Sequence, residues 1–160
     1  MKAYNVVADF EAAVAEWVGA KHGVSVDSGT SALFLAFTRA KALNPGDGIA
    51  RMPARTFMSV PMAAMHAGWR VKLIDTMWVG QYGIGLGTGH SVVQDSAGQL
   101  DQNSFCDVTT CVSFQYRKPV PIGKGGMILT DSAADADWFR RARYFGRDPA
   151  APFDLTKVTM

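Results

Sequence analysis

The chain has 160 residues, 48% hydrophobic and 19% charged, a globular composition long enough for one domain around one buried core. Its 16 Lys and Arg against 14 Asp and Glu leave a net charge of +2, and the basic residues are scattered, which argues against nucleic acid or an anionic membrane as partner. Cys106 and Cys111 make neither a disulfide framework nor a zinc signature, and no segment has the apolar run of a signal peptide or the roughly 18 apolar residues of a membrane span, so a soluble cytoplasmic protein is expected.

The first periodic stretch, "ADFEAAVAEWVGAKHG", puts Phe10, Val14, Trp17 and Val18 on one helical stripe, with Asp9 available as N-cap. "GVSVDSGTSALFLAFTRAKALNPGDG" then reads as a short strand, a Ser-Gly-Thr-Ser turn and an apolar helix that stops at Pro45 and Gly46. The order repeats: "GIARM" predicts a strand, "RTFMSVPMAAMHAG" a helix ending at Gly68, and "WRVKLID" a strand. Such alternation predicts an α/β fold of three αβα layers around a mostly parallel sheet.

Residues 76–90 interrupt the pattern with five glycines between positions 80 and 89, and conformational entropy favours a connector there over a regular element. Beyond it, "SVVQDSA", "DVTTCVSF" and "GGMILTD" predict strands. "SAADADWFRRARYFG" predicts a helix with Trp138, Phe139, Ala142 and Phe145 inward. Residues 147–160, with two prolines, are expected to form an extended tail, so that 1–160 make a single domain. The histidines His22, His66 and His90 have no metal-ligand spacing; His90 alone falls near the expected ligand edge. The glycines of "GIGLGTGH" precede a strand where a dinucleotide fingerprint opens a helix, which sets a nucleotide-binding module aside.

Three expected strand ends carry chemistry, and in an open sheet such ends converge where ligands bind. Gly29, Thr30 and Ser31 open a helix, either as an anion cradle of free N–H groups and hydroxyls or as an ordinary N-cap. Asp95 closes an apolar strand, where a carboxylate needs a cationic or hydrogen-bonded partner unless it serves as a turn or cap residue. Lys118 precedes Pro119 and is thereby held extended; beside Arg117 and partly buried, it is a nucleophilic amine, or else one half of a solvated pair on a surface loop. A phosphate cradle, a strand-end acid and a held lysine together are what pyridoxal 5′-phosphate requires.

At these residues the sequence resembles the DegT/StrS-type sugar aminotransferases, pyridoxal-phosphate (PLP) enzymes of fold type I. Four collinear stretches carry the resemblance: "FEAAVAEWVGAKHGVSVDSGTSAL", "PARTFMSVPMAAMHAGWRVKLID", "VVQDSA" and "SFQYRKPVPIGKGGMILTD". The resemblance implies a reduced version of the fold type I large domain. It implies Lys118 as Schiff-base lysine and proton carrier, Asp95 as partner of the pyridine nitrogen, and Ser113, Gly29, Thr30 and Ser31 as phosphate ligands. Phe57 falls where the family places a ring over the cofactor, although its spacing equally suits a core phenylalanine on an amphipathic helix.

The reaction that the resemblance implies is amino transfer from an amino acid such as glutamate to a keto sugar, nucleotide-linked in the family's manner, within a homodimer or higher homo-oligomer whose neighbouring subunit completes the site. Family members carry further strand and helix units between Asp75 and Ser91 and a C-terminal domain, so the resemblance also implies a shortened chain with less substrate-binding surface. A second reading stays open beside it: a noncatalytic remnant of the PLP fold acting as a binding or assembly module.

Overall fold

The computed structural model describes residues 3–46, 48–88 and 91–147. Its elements in chain order are α1 (Ala3–Val18), β1 (His22–Val26), α2 (Gly29–Leu43), β2 (Ile49–Pro53), α3 (Ser59–His66), β3 (Arg70–Ile74), β4 (Tyr82–Leu86), β5 (Ser91–Asp95), β6 (Thr109–Ser113), β7 (Gly126–Thr130) and α4 (Ala133–Ala142). The seven strands form one sheet in the order β1-β7-β6-β5-β4-β2-β3. The β2–β3 and β5–β6 pairs are parallel and the other four neighbour pairs antiparallel. Five strands therefore share one direction, and β4 and β7 oppose them.

Helices cover both faces, giving the expected three layers. On one face α2, α3 and α4 bury Phe37, Val60 and Phe139 against Met52, Ile84, Leu86 and Ile128 of the sheet. On the other, α1 seats Val14, Ala15 and Val18 on Val112, Phe114, Met127 and Leu129. These side chains are removed from water almost completely, and each of them larger than alanine contributes about 1.5–3 kcal/mol relative to exposure. Trp69, the largest polar-tipped side chain in this core, donates its indole N–H to the Phe37 carbonyl at 3.0 Å, so its burial leaves no orphan donor.

A buried polar tie joins three elements: Glu11 Oε1 of α1 accepts from the Ser25 amide at 2.8 Å, from Ser25 Oγ at 2.7 Å and from Arg143, which follows α4.

Several expectations need correction. The first helix begins at Ala3, so Asp9 lies inside it and caps nothing; Trp17 is half exposed. Residues 76–90 are more than a connector, since β4 runs through them and pairs antiparallel with both β2 and β5. Tyr82, Ile84 and Leu86 point into the core, and their burial outweighs the entropic cost of Gly83 and Gly85 between them. α4 ends at Ala142; Phe145 beyond it takes φ 61° and is 79% exposed, not on the inner stripe. The tail expected at 147–160 and His90 lie outside the described residues apart from Arg147. Among the described residues no helix is long and apolar enough to cross a membrane.

Candidate functional site

The strand directions decide which residues meet. β1, β2, β5 and β6 end, and β4 and β7 begin, along one edge of the sheet, as the pairings Val26 with Gly126, Gly126 with Ser113, Cys111 with Asp95, and Asp95 with Tyr82 require. A cleft of about 380 Å³ opens there, within the range of small-molecule sites. Gly29, Thr30, Phe57, Asp95, Ser113 and Lys118, which span 90 positions of sequence, all line it.

The first wall is the start of α2. Ser28 is its N-cap, in extended backbone at φ −161°, and its Oγ accepts from the Ser31 amide at 3.1 Å. The amides of Gly29 and Thr30 stand in the first turn, where a helix offers no internal acceptor, and they carry the positive end of its dipole. This turn is pressed against the strand ends. A Cβ on Gly29 would lie 2.8 Å from Ser113 Cβ, and one on Gly126 2.4 Å from the Ser28 carbonyl. Gly126 is needed because its backbone meets the Ser28 backbone, and Gly29 because its backbone meets the Ser113 side chain, a closeness that brings the Ser113 hydroxyl beside the free amides. Ser31, expected among the phosphate ligands, faces elsewhere: its amide and hydroxyl both bond Ser28 Oγ, and it lines a separate cleft with Phe34 and Arg143.

The floor is Asp95, 6% exposed. Its Oδ2 accepts from the Tyr82 hydroxyl at 2.7 Å and its Oδ1 from the Ala97 amide at 2.9 Å. The two sequence readings of Asp95 thus coincide, a buried acid with a hydrogen-bonded partner that also makes a turn two residues on. Both donors are neutral, so they satisfy the carboxylate without cancelling its charge. Burial and then the Asp95 charge push the Tyr82 phenol far above its ordinary range, which keeps it a donor. The same two causes, in the same order, raise the thiol of Cys111, buried on β6 as the pairing partner of Asp95.

The remaining walls come from loops. Phe57 precedes α3 and is 78% exposed, which removes the core alternative and leaves its ring at the cleft. Lys118 is half-buried in the segment between β6 and β7; that segment folds back on itself through Lys118 N–H to Gln115 C=O at 2.9 Å and Ile122 N–H to Phe114 C=O at 3.1 Å. Arg117 lies over the Tyr116 ring at 5.1 Å and is not among the residues lining the cleft. A second lysine, Lys124, does line it. Tyr82 is the residue that sequence reasoning missed. Its signal was the period-two pattern Tyr82, Ile84, Leu86, hidden by the glycines.

Residues 1–78 match the model of the DegT/DnrJ/EryC1/StrS aminotransferase family. Over 91% of its length the chain is 29% identical to the spore coat polysaccharide biosynthesis protein SpsC of Bacillus subtilis (strain 168), of which it covers 47%. A stretch of 69 residues, 43% of the chain and 18% of the relative, is 41% identical to the UDP-4-amino-4,6-dideoxy-N-acetyl-beta-L-altrosamine transaminase of Campylobacter jejuni. The solved structure of NtdA from Bacillus subtilis with bound cofactor PMP superposes with a TM-score of 0.70 at 19% identity, over 91% of this chain and 41% of that one. The chain spans about half the length of the relatives that align along most of it, and its fold is a partial version of the fold type I aminotransferase architecture.

Proposed function

We propose, from the match of residues 1–78 to the DegT/DnrJ/EryC1/StrS aminotransferase model, that the chain is a member of this pyridoxal-phosphate-dependent family and that its cleft holds pyridoxal 5′-phosphate. In this reading the chain is a cytoplasmic aminotransferase that moves an amino group from an amino acid such as glutamate to a nucleotide-linked keto sugar. The observation that carries it is the convergence on one cleft of a half-buried lysine, a buried acid and a helix N-terminus from distant parts of the sequence.

The residues fit the group. The α2 turn offers amides in a space that a single Cβ at Gly29 would invade, suiting a phosphate. Asp95 is buried with neutral donors only, suiting a protonated ring nitrogen. When bound, the cofactor supplies an electron sink for the substrate carbon. Gly29, Thr30 and Ser113 would hold its phosphate through amides and hydroxyls, Asp95 would keep the proton on the ring nitrogen, and Phe57 would lie against the ring. Lys118, which lines the cleft, would hold the cofactor through its Nζ and would be the base that moves the proton at the substrate's α-carbon. Ser31 has no part in this arrangement, since its polar groups are used on Ser28.

We place the chain in a homodimer. Phe57 and Tyr116 line the cleft while remaining 78% and 60% exposed, and Met58 and Ile122 beside them are exposed as well, an apolar rim of the kind that a second subunit covers. The test is an absorbance titration with pyridoxal phosphate, followed by glutamate. Saturable binding that Lys118→Ala abolishes, with a spectral change on adding glutamate, is expected. Binding without any response to amino donors favours the noncatalytic remnant, and no binding at all removes the cofactor from the proposal.

A further inference from the structure

The hydroxyl of Tyr82 has one proton, and it goes to Asp95 Oδ2 at 2.7 Å. Its contact with Thr56 Oγ1 must therefore run the other way, with Thr56 donating and Tyr82 accepting. The result is a directed relay, Thr56 to Tyr82 to Asp95, in which each hydroxyl has one possible polarity. Around it, Trp78 packs its ring on Tyr82 at a centroid separation of 4.6 Å and donates its indole N–H to the Arg55 carbonyl at 3.2 Å. The segment from Trp78 to Tyr82 thus holds the Arg55–Phe57 turn at one end and Asp95 at the other. Tyr82 is 8% exposed and Asp95 6%, so the bond between them is shielded from competing water.

Resting on the cofactor reading above, we propose that Tyr82 is a positioning residue of the site: its hydroxyl, oriented by Thr56, fixes the Asp95 carboxylate at the cleft floor while leaving the full negative charge for a cationic ring nitrogen. A lysine or arginine in that place would also satisfy the buried acid but would cancel the charge the cofactor needs. A carboxylate has about four lone-pair directions; Tyr82 and Ala97 engage one on each oxygen, so acceptor capacity is left on both. The relay also couples the acid to the turn that carries Phe57, so that floor and ring wall are set by one hydrogen-bonded unit. This gives β4 a role beyond filling the sheet between β2 and β5: it delivers Tyr82.

The test is a cycle of four full-length proteins, wild type, Tyr82→Phe, Asp95→Ala and the double variant, each titrated with pyridoxal phosphate and read by the absorbance of the bound cofactor. Circular dichroism beforehand sets a temperature at which every protein is folded. Tyr82→Phe keeps the ring and its packing on Trp78 and removes only the hydroxyl. It is expected to weaken binding about tenfold, the scale of one hydrogen bond to a charged group. In the Asp95→Ala background the same change is expected to alter affinity less than about twofold, because the hydroxyl acts only through the acid. Thr56→Ser is expected to bind like wild type, and Thr56→Val to weaken binding in the same direction as Tyr82→Phe. Equal affinity for wild type and Tyr82→Phe, or an equal loss in both backgrounds, overturns the positioning role while leaving the cofactor reading intact. Failure of the wild type to bind removes both.

Discussion

Gly29→Ala isolates the close approach on which the anion cradle depends. The added Cβ would sit 2.8 Å from Ser113 Cβ, 3.3 Å from its Oγ and 3.4 Å from its Cα. The nearest atoms belong to a strand end rather than to the tip of a flexible side chain, so the α2 turn has to move about 0.6 Å to reach the 3.4 Å of ordinary contact. Overpacking of this size typically costs about 1–3 kcal/mol. Alanine's better helix propensity offsets at most about 1 kcal/mol of it, leaving a net loss of up to about 2 kcal/mol when that offset is complete. Urea unfolding of the chain without cofactor reads this as a lower midpoint with unchanged slope. Ser113→Gly in the same chain removes the clashing carbon and is expected to restore most of the loss. Pyridoxal phosphate affinity of the single variant is expected to fall about tenfold as the free amides leave their positions. A single variant as stable as wild type that also binds as tightly would refute the reasoning that the Gly29–Ser113 contact shapes the cradle.

Two further predictions concern the rest of the chain. Glu11→Ala leaves Arg143 without its carboxylate in a largely buried site, and about 3 kcal/mol of stability is expected to be lost; a loss below about 0.5 kcal/mol in urea unfolding would show that the tie between α1 and the end of α4 contributes little. Iodoacetamide on the native chain is expected to label exposed Cys106 and spare Cys111, which is buried and whose thiol is held protonated by burial and by Asp95; both react after unfolding, and equal native rates would contradict the buried placement.

The strand-turn-helix unit from His22 to Leu43 and the strands flanking Lys118 were legible in the sequence because apolar runs, a Ser-Gly-Thr-Ser turn and paired glycines agree with one another. β4 was not, because propensity speaks against Gly83 and Gly85 while the deciding term, burial of Tyr82, Ile84 and Leu86, is tertiary. The same gap hid Tyr82 as the partner of Asp95, and the hairpin that pairs Tyr82 with Asp95 also reverses β4 in a sheet expected to be mostly parallel. Ser31 bonds Ser28 Oγ rather than standing free beside Gly29 and Thr30, a detail hidden in the sequence because a helix N-terminus does not say which hydroxyl caps and which faces a ligand. Phe145 was placed inward on helical spacing that stops at Ala142; the backbone at Phe145 itself is left-handed.

Two lysines line the cleft, Lys118 and Lys124, and the proposed chemistry assigns the covalent role to the first alone. Borohydride reduction of the chain with pyridoxal phosphate bound, followed by peptide mapping, reads that assignment directly. The cofactor is expected on the peptide containing Lys118, with Lys124 unmodified at stoichiometric loading. Modification centred on Lys124, or spread evenly over the surface lysines, would contradict it.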